Sequence, residues 1–398
     1  MVGTKSSPLI ECIGRSRSAA AGPNEASTPT ATAVVIYFSR LGAPMYVHEK
    51  AVLAAVAEDI ARLEGRSYAG LFDAEQRPAP ELFFVPDDTL MRDEAQGLGI
   101  SFPRQLYGAV APYPFAKTKA ITHRLIDPRA AQPCGWSTAF TDNVASAVLP
   151  GYTAFDLDDA RTAARRLLAH GPVRVKQPLG AGGRGQAVIG TLVELDAFLE
   201  ELPTGQIARH GLVLETNLYG VTTRSVGCTL VGDRMIAYHG LQRSATNNHG
   251  VSVYGGSHLT CVRGGWAELL TLAMDTSTRR AVTQARIYDG NAVQFPGFLA
   301  SRRNYDVGQG IDGRGQWRSG VLEASWRSGG ASTAELAALT AFAQDPAVQV
   351  VEAAAVKHYG KPRKIPPGAI VHFEGDDPED GPLLRYTVMT RALRRALS

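Results

Sequence analysis

The chain has 398 residues, 44% of them hydrophobic and 20% charged, with a net charge of +3. This length suggests two or three domains of an ordinary globular protein, and the near-balanced charge excludes a nucleic-acid binder driven by bulk electrostatics. No apolar run is long enough to span a membrane, and the four cysteines, Cys12, Cys134, Cys228 and Cys261, show no CxxC spacing and read as unpaired thiols.

Residues 1–32, with SRSAAAGPNEASTPTATA, bury too little apolar surface to repay ordering and lack the apolar core of a signal peptide. They read as a disordered tail or an extended translation start, and the protein as cytoplasmic. Order is expected to begin at the strand AVVIYFS, followed by a helix ending at Gly65, in which Val52, Val56, Ile60 and Leu63 recur at helical spacing. ELFFVPDDT is a second buried strand, so residues 33–115 read as a small N-terminal α/β domain. After Pro114 a helix is expected from Phe115 to Leu125, carrying Lys117 and Lys119.

FDLDDARTAARRLLAHG reads as a helix capped by Asp156 or Asp158, PVRVKQ as a strand, and QAVIG as its partner. TLVELDAFLEELP opens with a capping box, Thr191 with Glu194, and GLVLET is a further strand. Two strands flank the turn VGDR, and NYDVGQGIDGRGQWRSGVLEASWR is a hairpin turning near Asp312–Gly315. The polar stretch YHGLQRSATNNHGVSVYGGSHLTCVRGG is expected as a long loop, either shaping a substrate pocket or mobile at the surface. A helix (TAELAALTAFAQ) and strands VQVVEAA and AIVHFE close the chain as a C-terminal α/β extension, residues 336–398.

The glycine run in RVKQPLGAGGRGQ fits G-x-G-x-x-G through Gly180, Gly182 and Gly185. A dinucleotide fingerprint needs a helix to open at its last glycine, and a Walker loop needs its lysine after the glycines; here a strand follows and Lys176 precedes. What remains is a β-hairpin whose glycine tip lets backbone N–H groups approach phosphate, with Lys176 as a point charge on the strand leading in. The same pattern also suits a surface hairpin with a solvated lysine.

From about Lys117 to Ser332 the order of these elements resembles the ATP-grasp superfamily. The resemblance implies an α/β (α+β) fold with an ATP-grasp lid (about 140–211) and core within residues 116–335. Such a protein binds ATP and Mg²⁺ between lid and core and activates a small-molecule carboxylate as an acyl phosphate for an amine or other nucleophile. It implies Lys119, in preference to Lys117, and Lys176 on the phosphates, with Gly182, Gly183 and Gly185 as the flap over them. Leu214 and Glu215 would contact the nucleoside. The family's metal strand maps onto VLEASWR, giving Glu323 and Ser325, with serine where asparagine is usual. Hairpin counting about Gly313–Arg314 puts Asn304 opposite Glu323. Asp306 shares that face and is the nearer carboxylate, so it is preferred as the first metal ligand. Arg327 would face the transferring group; Arg302 and Arg303 could hold an anionic substrate or form a solvated patch. GGAS (Gly329–Ser332) offers backbone donors near a helix start. The whole chain also resembles a bacterial ATP-grasp-type family of uncharacterised function, some members of which are loosely labelled biotin carboxylase; no M-K-M biotin attachment motif is present. Two further readings remain open: an ATP-binding regulatory protein with weakened catalysis, which Ser325 favours, and a phosphotransferase on the same scaffold. Oligomeric state is not fixed by the sequence.

Overall fold

The computed structural model of the chain describes residues 32–39, 45–75, 82–180, 185–203, 205–360 and 364–394. The expected tail, apart from Thr32, lies outside them, as do Cys12, Gly182 and Gly183.

The first apolar run forms β1 (Ala33–Tyr37) and the periodic segment α1 (Val47–Glu64), ended by Gly65 in the left-handed region (φ 65°). β2 (Ser67–Leu71) and β3 (Leu82–Pro86) complete a parallel sheet in the order β2-β1-β3. β2 escapes a sequence reading because SYAGL has no fully buried residue and no apolar run. β4 (Leu90–Met91), α2 (Arg92–Gly97) and β5 (Ala109–Ala111) follow. The helix expected from Phe115 to Leu125 is instead two 3-10 turns, Pro114–Lys117 and Lys119–Thr122. Thr118 stands between them in extended conformation and its hydroxyl accepts the Ala120 N–H, so a side-chain cap replaces the helical ladder at that point.

After α3 (Thr138–Val144) comes a compact unit: β6 (Gly151–Ala154), α4 (Leu157–Leu168), β7 (Val173–Lys176), β8 (Gln186–Ile189), α5 (Leu192–Glu200), α6 (Gln206–His210) and β9 (Leu212–Thr216). Its four strands run antiparallel in the order β6-β9-β7-β8, and Ala160, Leu167, Leu195 and Leu199 of the helices pack on Val175 and Leu214. Asp156 caps α4 and Thr191 caps α5. The capping box is half made, because Glu194 accepts the Gly190 N–H rather than that of Thr191.

The remainder builds one large sheet. β10 (Tyr219–Val231), β11 (Arg234–Thr246) and β12 (Ser252–Arg263) form a meander, then α7 (Trp266–Thr271) and α8 (Thr276–Ala292) follow. β13 (Leu299–Ala300) joins β5, while β14 (Arg302–Ile311) and β15 (Trp317–Ser325) form the expected hairpin. α9 (Ser332–Gln344), β16 (Val348–Tyr359), β17 (Ile370–Asp377) and β18 (Gly381–Arg394) complete the chain. The eight-stranded order is β15-β14-β10-β11-β12-β16-β18-β17, so the C-terminal strands continue the same sheet.

The polar stretch expected as a long loop is the β11–β12 hairpin itself, turning through Asn247–Gly250. Its polar residues mark the wetter positions of regular strands whose other residues are buried. Alternation along β11 serves both faces of the sheet: Ile236 and Tyr238 join a core with α1 and α9, and Ala237 joins a core with α8. Cys228 and Cys261 are free and buried. Cys134 is disulfide-bonded, which corrects the expectation of unpaired thiols for that residue; spacing carries no information on pairing between distant cysteines. Among the described residues no helix is long and apolar enough to cross a membrane.

Candidate functional site

Three buried polar side chains meet where the four-stranded unit faces the large sheet. Lys176, the last residue of β7, puts Nζ 2.5 Å from Glu215 Oε1 on the neighbouring strand β9. His123 Nε2 lies 3.1 Å from Glu215 Oε2. Burial alone would favour protonated Glu215; the Lys176 ammonium and the His123 contact outweigh it and hold the carboxyl down at about 2. The lysine and acid expected as separate ligand contacts are therefore joined to each other. His123 is a residue the sequence did not single out: its partner is 92 positions away, and no motif marks ITHRL. The Leu214 side chain packs inside the unit's own core, and its backbone is flanked by β6 and β7.

Lys119 closes the other side. It is 4% exposed, donates to the Gly180 carbonyl at 2.7 Å, and pairs with Glu323 Oε2 at 2.8 Å. One ammonium thus touches both the foot of the glycine loop and the β14–β15 hairpin. Lys117 turns away to Asp88, 2.6 Å distant, so only Lys119 of the pair reaches this place. Gly185 ends the loop at φ 67° and its carbonyl accepts the Gln177 N–H at 2.8 Å, closing the hairpin at its neck. A side chain at position 185 would both strain the backbone and press on Gln177.

The β14–β15 register corrects the hairpin count. Asp306 pairs with Glu323 but Val307 pairs with Val321, so Leu322 is an extra residue on β15. The turn centres on Arg314, which shifts the expected pairing by one, and the bulge adds one more, so Asn304 lies opposite Ser325 and Asp306 directly opposite Glu323. Gly308 leaves room for Leu322: a Cβ there would come 2.9 Å from both Leu322 Cδ atoms. Burial, then the facing Glu323, raises the Asp306 carboxyl to about 6. Burial pushes Glu323 the same way, but Lys119 beside it wins and lowers it. Asn304 donates its amide to Asp306 Oδ1 at 2.9 Å, and its carbonyl lies 3.1 Å from the Tyr238 hydroxyl, whose one proton it shares with Glu335. Both ends of that amide are spent on support.

This donor set consists of hard oxygens: two facing carboxylates and the Ser325 hydroxyl two residues along the strand. Among the described residues no group of three or more His, Cys, Asp or Glu gathers to hold a metal. Mg²⁺ is commonly bound by one or two carboxylates with phosphate and water completing the shell, so the pair fits that ion in company with a phosphate ligand.

Arg327 follows the hairpin and donates to the Ser328 carbonyl at 3.0 Å; its charge also reaches Glu323. Arg302 and Arg303 are each paired with an acid inside the protein. Arg302 is buried against Glu335 at 2.7 Å, with Tyr107, Tyr238 and Thr229 on the same carboxylate, and Arg303 pairs with Asp289 at 2.5 Å. Strand alternation does not show that a basic residue has a buried acid waiting on a distant helix. In GGAS the Gly329 N–H is taken by the Ser332 hydroxyl at 2.9 Å. Asp312 is turn chemistry, accepting the N–H groups of Arg314 and Gln316.

A profile of the family described as "Protein of unknown function (DUF3182)" matches residues 38–387. No curated protein matches the sequence. Among solved structures, N5-carboxyaminoimidazole synthetase from Staphylococcus aureus, complexed with ADP, is 13% identical over 92% of this chain and 95% of that one, with a TM-score of 0.50. The biotin carboxylase–β,γ-ATP complex from Campylobacter jejuni is 10% identical over 90% of this chain and 87% of that one, with a TM-score of 0.53. At such identities the likeness is one of fold alone: this chain shares the α/β fold of these two enzymes.

Proposed function

The chain belongs to the DUF3182 family, and from that premise we propose that it is a Mg-ATP-dependent ligase. It activates a small carboxylate as an acyl phosphate for attack by an amine or another nucleophile, releasing ADP and phosphate. The observation that carries this reading is the Lys119 bridge, one buried ammonium in contact with both the glycine loop of the lid and a carboxylate of the core hairpin. A cation so placed suits a ligand phosphate arriving between the two.

The proposal assigns Lys119, Lys176 and the loop glycines Gly182, Gly183 and Gly185 to the phosphates. Glu215 belongs at the nucleoside end, oriented by His123, with Leu214 beside it on the same strand. Asp306, Glu323 and Ser325 would hold Mg²⁺, which when bound neutralises phosphate charge. Arg327 steadies charge on the transferring group, where a fixed guanidinium acts without reorganisation. The working division is residues 33–115, 116–335 and 336–398, with the lid at about 140–211. A second reading, an ATP-binding regulatory protein, draws support from Ser325, a shorter and weaker ligand than an amide carbonyl.

The test is ADP release from Mg-ATP across a panel of carboxylates with amines, with Lys176→Ala and Glu323→Ala as controls. Stimulation by one acid–nucleophile pair, lost in both variants, is the expected result. ATP bound without turnover for any pair would favour the regulatory reading, and no ATP binding by equilibrium dialysis would sink both.

A further inference from the structure

Strands β16 and β18 set two cations face to face. Lys357 lies directly opposite Arg385 in the register, an arrangement that costs stability unless something neutralises it. Lys357 has its acid, Asp380, at 2.7 Å. Arg385 has none: no carboxylate lies within ion-pairing distance of it among the described residues. Its Nη1 donates to His48 Nδ1 at 3.2 Å. An accepting Nδ1 is an uncharged nitrogen, so His48 aims the guanidinium without neutralising it. Of the other acids close by, Glu49 is engaged by the Tyr46 N–H and Asp377 by the N–H groups of His48, Glu379 and Asp380.

The guanidinium, which feels the Glu49 and Asp380 charges without touching either, borders a cleft lined by Tyr254, Gly330, Thr333, Lys357 and His372. The cleft has essentially no free interior volume (≈ 0 Å³) and Arg385 is half-buried, so an anion would have to reach the guanidinium from its solvent side. The cleft adjoins the site already described. Gly330 sits in the segment that follows Ser325 and Arg327, and a Cβ on it would come 2.3 Å from the Tyr254 ring. Tyr254, held at 2.7 Å from the Ser257 hydroxyl, is raised to about 12 by burial and feels the charges of both Arg385 and Asp306. It therefore stands between the cationic cleft and the carboxylate pair.

We propose that Arg385, with Lys357 opposite it, anchors a second oxyanion group of the substrate, a carboxylate or a phosphate, so that the ligase acts on a small polyanion. This rests on the ligase reading of the neighbouring site and adds the substrate class to it. A guanidinium fork with free N–H groups binds either anion with charge-assisted hydrogen bonds.

The experiment reads Arg385 directly in the full-length wild-type protein. Phenylglyoxal, which attacks unpaired arginines, is applied and the modified sites are mapped by mass spectrometry. Inorganic phosphate, succinate or chloride is present at matched ionic strength. The expected result is rapid modification of Arg385, slowed about tenfold by phosphate or by succinate but not by chloride, as one charge-assisted contact would give. Protection by phosphate alone names a phosphorylated substrate, and protection by succinate alone names a dicarboxylate. Calorimetric titration of the protecting anion into Arg385→Gln is expected to show roughly tenfold weaker binding. Equal slowing by chloride, or an Arg385 inert while other arginines react, would overturn the proposal. ATP binding by the wild type is measured in parallel. If ATP fails to bind while phosphate or succinate still protects Arg385, the nucleotide reading falls and the subsite stands. If ATP binds and neither anion protects, the reverse holds.

Discussion

Glu323 is held 2.8 Å from Lys119 while facing Asp306 across the hairpin. The ammonium thus occupies one of the two carboxylates that a divalent cation would use. Lys119→Met should consequently act in opposite directions on two measurements. Mg²⁺ alone, titrated calorimetrically, is expected to bind severalfold more tightly than to wild type, because Glu323 is released. ADP release is expected to fall by about 100-fold, the scale of losing one fixed charge that stabilises a transferring group. A parallel loss of both would show that Lys119 merely holds the fold.

Glu215 gives a pH-dependent stability with a defined sign. Its carboxyl lies at about 2 in the folded protein against an ordinary 4.5, so its contribution is complete above 4.5 and is lost as pH falls toward 2. Glu215→Gln is expected to be less stable than wild type by about 3 kcal/mol at pH 7, with the two converging near pH 2. Urea unfolding at several pH values measures this; a constant difference across the range would refute it.

Ser325 offers a gain-of-function test. It stands opposite Asn304, whose carbonyl is already committed to Tyr238, so the missing amide is not supplied from across the strand. Ser325→Asn is expected to lower the Mg²⁺ concentration needed for half-maximal ADP release, by about tenfold if one carbonyl ligand is added. An unchanged Mg²⁺ dependence would place the metal away from position 325.

Glu335 is a structural counterpart. Its carboxylate receives Arg302, Tyr107, Tyr238 and Thr229, all buried. Glu335→Ala strands the Arg302 charge and is expected to cost about 3–5 kcal/mol, read as a fall in the urea midpoint. A change below about 1 kcal/mol would mean that water replaces the carboxylate.

Much of the architecture can be read from the chain because it rests on local signals. Gly65, Asp156 and Thr191 mark helix ends by their own backbone and side-chain chemistry, and the Asp312–Gly315 turn announces its hairpin. Lys176, Glu215, Lys119, Glu323 and Asp306 were all legible as candidates, and the structure brings them together. What the sequence hides is long-range or depends on one residue. The bulge at Leu322 decides which residue faces Glu323, and nothing in VLEASWR reveals an extra residue until the partner strand is laid beside it. His123 acquires meaning only from Glu215, and Arg302 and Arg303 lose theirs as ligand residues only when Glu335 and Asp289 arrive from distant helices. Thr118 shows the local failure: a hydroxyl that can cap a new turn competes with the helix that periodicity predicts.

The order of strands at the far edge of the large sheet also sets a timetable for synthesis. β18, made after both, inserts between β16 and β17, and the Asp377–Gly381 turn that precedes it receives the His48 N–H from the start of α1. The four-stranded unit, contiguous from Gly151 to Thr216, can close on itself while the ribosome is still working. β16 must wait with one edge bare until β18 is made, and α1 waits for its Asp377 contact until β17 is made. A nascent chain arrested before residue 381 would therefore carry a folded four-stranded unit beside an open, adhesive sheet edge, a species that a chaperone or a protease is suited to intercept.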